Sequence, residues 1–269
     1  MPEDIHPLFE LKGRVAMVTG GGSGLGREFC DVLADFGADI IIPDIDKRRA
    51  EETCDMIRKP GTRTLAIGVD VSKYDQVQAM FKKAEEAFGR LDVLVNNAGV
   101  VNRRRSIHEL EPEEWHRVLN VNLHGTFYCL KEGLRLMMGR KKGSIINNTS
   151  ITGLFGTEPE VGMMAPYATS KSAVIGLTRQ AAAEYGRYGI RVNAIAPGWH
   201  LGTNLGPATG VKRTEEEFKE WERLLASKTP MGRTGQPKEL RGLVLYLASD
   251  ASSFVTGQVI ASDGGWSCV

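Results

Sequence analysis

Cysteine is scarce and scattered in this chain. Cys30, Cys54, Cys129 and Cys268 form no CxxC pair, which argues against a disulfide framework or a zinc site and suits reduced thiols in a cytoplasmic protein with no metal. No apolar run approaches the roughly 18 residues of a membrane helix. The acidic lead Met1-Pro2-Glu3-Asp4-Ile5-His6 lacks the basic start and apolar core of a secretory leader. An excess of one charge is missing too, since 34 basic against 33 acidic residues leave a net +1. Neither nucleic acid nor an acidic membrane is therefore an expected main partner. Internal repeats and low-complexity stretches are absent. What remains is ordinary globular composition, 42% hydrophobic and 25% charged over 269 residues, which suits one domain spanning 1–269.

The order of the apolar segments carries more information. Arg14-Val15-Ala16-Met17-Val18-Thr19 reads as a buried strand and runs straight into Gly20-Gly21-Gly22-Ser23-Gly24-Leu25-Gly26. A helical pattern follows, with Leu25, Phe29, Val32, Leu33 and Phe36 on one face. Strand, glycine loop and helix start form a phosphate cradle, because bare glycines let backbone N–H groups approach a pyrophosphate at the positive helix end. The spacing Thr-Gly-x-x-x-Gly-x-Gly replaces the strict G-x-G-x-x-G fingerprint. A second strand, Ala38 to Asp44, ends in an acid 24 positions after Gly20. Such an acid accepts hydrogen bonds from an adenosine ribose and repels a 2′-phosphate, and neither Ser23 nor Ile45 supplies a compensating cation. The expected cofactor is NAD.

Further strands are expected at Thr64 to Asp70, Leu91 to Val95, Gly143 to Ser150, Ile190 to Ile195 and Gly257 to Ala261. Helices are expected at Lys73 to Phe88, Glu113 to Met138, Tyr167 to Tyr185 and Leu240 to Leu247. This alternation predicts a Rossmann-type, doubly wound α/β fold with a parallel seven-stranded sheet and helices on both faces. Residues 199–227 read as a substrate lid within it.

Among six tyrosines only Tyr167 has a lysine four places on, Lys171. On a helix the two share a face, and a nearby ammonium is expected to lower the phenol pKa from about 10 and fit it for proton transfer.

Taken in order, Thr19 to Gly26, Asp70, Asn96-Asn97-Ala98-Gly99, Asn122, Ser150, Tyr167 with Lys171, and Pro197-Gly198 resemble the short-chain dehydrogenase/reductase family over roughly Lys12 to Trp266. The resemblance implies cofactor contacts from Gly20, Ser23, Gly24, Leu25, Gly26, Asp44, Asp70, Val71, Asn97, Ala98, Gly99, Tyr167, Lys171, Pro197, Gly198 and Thr203. It implies a catalytic set of Asn122, Ser150, Tyr167 and Lys171, with Asn122 preferred to Asn120 as the residue holding a water in a proton relay. It further implies a homo-oligomer, a tetramer or dimer, built on the long helix and the Tyr-Lys helix.

Sixteen residues lie between Ser150 and Tyr167, a few more than the family usually has, so an enlarged loop is expected over the substrate. Arg103, Arg104 and Arg105 form a basic run after Gly99, and Arg can hold an anion with two parallel hydrogen bonds. Arg103 and Arg104, with Trp199 and His200, are the candidate substrate residues. The arginines and the Asp263-Gly264-Gly265-Trp266 ending resemble the gluconate and deoxygluconate dehydrogenase branch, which implies a polyol, sugar acid or other anionic hydroxy compound as the small-molecule substrate. A 3-oxoacyl thioester reductase and a non-catalytic nucleotide-binding regulator are the alternative readings.

Overall fold

The computed structural model describes residues 6–203, 209–211 and 213–269. The first five residues of the acidic lead, and positions 204–208 and 212 of the expected lid, lie outside the described residues. After a helical turn α1 (His6–Phe9), the chain alternates β1 (Val15–Val18), α2 (Gly24–Asp35), β2 (Asp39–Asp44), α3 (Lys47–Met56), β3 (Thr64–Gly68), α4 (Tyr74–Phe88) and β4 (Val93–Asn96). Next come α5 (Pro112–Leu119), a π-helical stretch (Asn120–Gly125), α6 (Thr126–Met138), β5 (Gly143–Asn148), α7 (Ala165–Tyr185), β6 (Ile190–Pro197), α8 (Glu215–Ser227), α9 (Arg241–Ala248) and β7 (Val259–Ser262). All seven strands form one parallel sheet in the order β3-β2-β1-β4-β5-β6-β7.

The sheet has a core on each face, which is why its central strands read as uninterrupted apolar runs. Successive side chains of β1 point to opposite faces. Ala16 and Val18 pack with Phe29 and Leu33 of α2 and Val244 and Leu247 of α9. Val15 and Met17 pack with Phe81 of α4 and Leu130, Leu134 and Met137 of α6.

Three differences from the sequence expectation bear on the site. The helix expected over Glu113 to Met138 contains a π-helical stretch at Asn120–Gly125. Gly125 lies so close to Val71 that a Cβ there would stand 2.8 Å from Val71 Cγ2, and Asn122 lies within the wide turn. Strand β5 stops at Asn148 rather than Ser150, because Ser150 caps the short 3-10 turn Ile151–Gly153 and its Oγ accepts from the Thr152 N–H at 3.2 Å. Strand β7 starts at Val259, since Gly257 turns the chain at φ +74.

Candidate active site

The C-terminal ends of β1, β2, β4, β5 and β6 converge on one edge, where an open parallel sheet presents its ligand crevice. Two glycines make the β1–α2 loop possible. Gly20 takes φ +65, and a Cβ at Gly26 would stand 2.2 Å from the Gly20 carbonyl oxygen and 2.6 Å from Asn97 Nδ2. The loop is held by its neighbours: Asn97 Nδ2 donates to the carbonyls of Thr19 (2.9 Å) and Gly20 (3.2 Å). Thr19 Oγ1 accepts from the N–H groups of Asn97 and Ala98, both at 3.0 Å. Ser23 is the N-cap of α2, but its side chain makes no capping bond. Leu25 packs against the core on the α2 side of the sheet.

At the end of β2, Asp44 Oδ2 accepts from the Gly22 N–H at 2.9 Å and Oδ1 from the Asp46 N–H at 3.0 Å. The carboxylate therefore lies against the glycine loop. The following arginines are paired elsewhere, Arg48 with Glu52 at 3.9 Å and Arg49 with Asp46 at 3.4 Å. Asp70 Oδ1 holds the turn after β3 by accepting from the N–H and hydroxyl of Ser72, and Val71 is buried against the π-helical stretch. On the other side of the crevice Gly198 packs on Asp263, where a Cβ would meet Asp263 Cα at 2.7 Å. Thr203 reaches over the loop, its Cβ 3.6 Å from where a Gly24 Cβ would stand. Bare glycines, the positive end of α2 and an acid at the second strand together fit a nicotinamide dinucleotide, with room where side chains would intrude.

The reactive groups lie deeper. Tyr167 and Lys171 sit one turn apart on α7, 8% and 4% exposed. Lys171 Nζ donates to the Asn148 carbonyl at 2.7 Å and stands 5.4 Å from the Tyr167 ring centroid. The expectation that the lysine lowers the phenol pKa is corrected here. Burial raises Tyr167 from 10.0 to about 12, opposed only by a hydrogen bond from Ser150, and burial lowers Lys171 from 10.5 to about 8. Desolvation penalises both charged forms, and the lysine loses its proton before the phenol does. Ser150 Oγ accepts from Thr152 Oγ1 at 3.1 Å, leaving its own hydrogen for the phenol oxygen.

Of the two candidate asparagines, Asn120 is exposed and Asn122 is fully buried. Asn122 clamps Val100, with Oδ1 accepting from its N–H at 2.8 Å and Nδ2 donating to its carbonyl at 2.9 Å. A second Nδ2 bond reaches Ser170 Oγ at 3.1 Å. Both amide hydrogens are therefore engaged by protein atoms. Gly99 lies between Asn122 and Lys171; a Cβ there would stand 3.4 Å from Asn122 Oδ1 and 3.6 Å from Lys171 Nζ.

A cavity of about 750 Å³ opens beside Ser150 and Tyr167. The loop between Ser150 and Tyr167 forms one wall through Val161, Met163 and Met164, and its Glu158 pairs with Lys228 just beyond α8. Trp199 forms another wall, edge-on to Trp221 at 5.8 Å. Of the basic run, only Arg104 lines the cavity. Arg103 and Arg105 are exposed; the Arg103 backbone N–H donates to Glu114, and its side chain lies beside Gly210, with Cγ 3.8 Å from where a Cβ there would stand. His200 borders the cavity, but its ring packs on Gly235 and its Nδ1 lies 3.2 Å from the Gly198 carbonyl. Burial lowers its pKa below 6.5, leaving it neutral near pH 7. Sequence reasoning missed Asn148, which holds Lys171, and gave no individual role to Asn102 or to Arg213 and Trp221 of the expected lid. The paired asparagines just before Ser150 were a signal for the first. The other three come from segments that only folding brings together.

Comparisons with known proteins agree with this geometry. A family model described as Enoyl-(Acyl carrier protein) reductase matches residues 20–267. The chain is 42% identical over 263 residues to the short chain dehydrogenase/reductase astE of Aspergillus oryzae, covering 97% of each. It is 38% identical over 258 residues to cis-4-hydroxycyclohexanecarboxylate dehydrogenase of Sinomonas cyclohexanicum, covering 95% of this chain and 97% of that protein. A solved gluconate 5-dehydrogenase from Burkholderia cenocepacia, in complex with NADP and tartrate, is similar at TM-score 0.89 and 36% identity, over 98% and 99% of the two chains. The gluconate enzyme stands no nearer than the other two, so the comparisons single out no branch.

Proposed function

The chain belongs to the short-chain dehydrogenase/reductase family, and on that premise we propose that it interconverts a secondary alcohol and a ketone with NAD(H), acting on an anionic hydroxy compound. The observation that carries the reading is the buried Tyr167 phenol, which lines the same cavity as Ser150 and stands one helical turn from the buried Lys171. The nicotinamide, when bound, supplies the hydride acceptor or donor. Gly20, Ser23, Gly24, Leu25 and Gly26 would hold the pyrophosphate, Asp44 the adenosine ribose, Asp70 and Val71 the adenine end, and Lys171 the other ribose. Asn97, Ala98, Gly99, Pro197, Gly198 and Thr203 would border the rest of the groove.

With its pKa near 12, Tyr167 carries its proton at neutral pH and can donate it to a carbonyl oxygen in the reducing direction. In the oxidising direction the phenol must first release that proton to bulk water, and the phenolate then takes the hydroxyl proton of the alcohol. Ser150 orients the substrate oxygen, and Asn122 acts as a positioning residue by fixing Val100 and Ser170. Asp44 beside the loop, with Arg48 and Arg49 paired to acids, supports NAD over NADP. One domain would serve cofactor and substrate, with 199–227 as the lid.

The test follows nicotinamide absorbance with NAD and NADP across ketones and alcohols bearing carboxylates, polyols and 3-oxoacyl thioesters. General acid–base help is worth about 10²–10⁴-fold, so Tyr167→Phe is expected to lose turnover to that extent while a fluorescence titration shows NADH binding retained. Full activity of the Phe variant would remove Tyr167 from the mechanism. A strong NADPH preference together with thioester turnover would favour the acyl reductase reading.

A further inference from the structure

The lining of the substrate cavity has an unusual balance of polar groups. Among the described residues it holds two arginines, Arg104 and Arg213, and no Asp, Glu or Lys. Their segments are joined near the cavity, because the Arg104 N–H donates to the Thr209 carbonyl at 3.2 Å. The Arg104 guanidinium reaches the Pro159 carbonyl of the loop between Ser150 and Tyr167, while the Arg213 guanidinium lies over the Trp221 ring at 4.6 Å. Neither has a salt-bridge partner among the described residues, unlike Arg117, which is paired with Glu114 at 2.8 Å. Burial is the main effect disfavouring the Arg213 charge, and the Arg104 charge adds to it against the attraction of Glu217. Two partly desolvated cations with no shared carboxylate leave a local charge that an anion would neutralise.

The rest of the wall limits what that anion is attached to. Val161, Met163, Met164, Phe218 and Trp221 present apolar surface, which suits a ring or hydrocarbon chain better than a polyol. Three buried polar atoms of lining residues have no partner among the described residues: the indole nitrogens of Trp199 and Trp221, and Asn102 Oδ1. The Asn102 amide is oriented by its own donors, since Nδ2 bonds the carbonyls of Arg103 (2.8 Å) and Met163 (2.9 Å). Buried polar groups are ordinarily satisfied, but these three atoms are closed off from solvent, so they add no ligand contact to the cavity surface.

We propose that Arg104 and Arg213 form an anion subsite that holds the distal carboxylate or sulfonate of a substrate with an apolar body, whose alcohol or ketone end lies at Ser150 and Tyr167. The proposal rests on the reductase reading for the reacting end, but anion binding can be measured without turnover. Trp199 and Trp221 lie in the wall, so indole fluorescence reports occupancy directly.

Suitable probes are 4-acetylbenzoate, 4-acetylbenzenesulfonate and the uncharged 4-methylacetophenone, each titrated in the presence of NADH. A charged hydrogen bond lost from such a site is worth about tenfold in affinity. The expected result is tighter binding of at least one anion than of the neutral ketone. Arg104→Gln and Arg213→Gln should each shrink that ratio about tenfold, and Arg213→Lys should recover part of it. Arg58→Gln, on an exposed side chain outside the cavity lining, serves as the control and should keep the ratio. Preference for benzoate or for sulfonate identifies the headgroup. Equal binding of charged and neutral ketones, no detectable anion binding, or a ratio indifferent to both Gln variants would overturn the subsite. Arginine-dependent quenching without hydride transfer from NADH or NADPH to any probe would uphold the subsite and count against the reductase reading. Turnover without charge preference would do the reverse.

Discussion

Lys171 and Tyr167 illustrate a competition between two electrostatic effects acting on the same pair of side chains. Proximity of a cation favours the phenolate, whereas removal from water disfavours both charges. Burial wins in this structure, and its sign can be checked through stability. The folded-state pKa of Lys171 is depressed to about 8, so between pH 8 and 10.5 the unfolded chain binds more protons than the folded one. Stability therefore rises with pH through that window, by about 3 kcal/mol from this group. Tyr167 is raised to about 12, so its contribution is lost between pH 10 and 12. Thermal melts of the wild type and Lys171→Met are expected to diverge in the wild type's favour from pH 8 to 10. A constant difference across that range would refute the buried-lysine account. The pairing of these two residues is legible from their four-residue spacing. The direction of the shift is not, because desolvation depends on the residues packed around them from elsewhere in the chain.

At the scale of elements, the β1–α2 loop is fixed by steric exclusion as much as by conformational freedom. A Cβ at Gly26 would collide with backbone, the Gly20 carbonyl oxygen, which cannot rotate away as a flexible side chain could. Gly26→Ala is expected to destabilise the protein by about 3 kcal/mol, at the upper end of overpacking costs, and to weaken NADH binding in a fluorescence titration. Gly242→Ala provides the contrast. No atom lies within 4 Å of its added Cβ and its φ is not positive, so relief of backbone entropy should raise stability by about 0.5–1 kcal/mol. The π-helical stretch shows the opposite kind of legibility. The apolar pattern over Glu113 to Met138 reads as one helix, because a single extra residue in one turn barely disturbs a 3.6-residue period. The wide turn is visible only where Gly125 meets Val71 and Asn122 clamps Val100.

At the scale of the whole molecule, α6 presents Phe127 to solvent at 46% exposure on the helix that the family resemblance assigns to subunit contact. We propose that this face is covered by a second copy. Sedimentation is expected to give two or four times the chain mass, and Phe127→Asp to shift the distribution toward smaller species. A wild-type monomer at micromolar concentration would contradict this. No helix among the described residues is long and apolar enough to cross a membrane, and no group of three or more metal-ligating side chains occurs among them.

The sequence by itself determined the alternation of strands and helices, the glycine loop, the acid after β2 and the Tyr-Lys pair. Each is written in contiguous residues, through apolar periodicity or through a short spacing that local geometry converts into contact. Tertiary structure alone decided that burial, rather than the lysine charge, dominates the phenol. It also decided that only Arg104 of three consecutive arginines enters the cavity, and that Arg213, more than a hundred residues later, joins it there. The reason is physical: desolvation and charge neutralisation are properties of an enclosed volume, and the walls of that volume come from segments far apart in the chain.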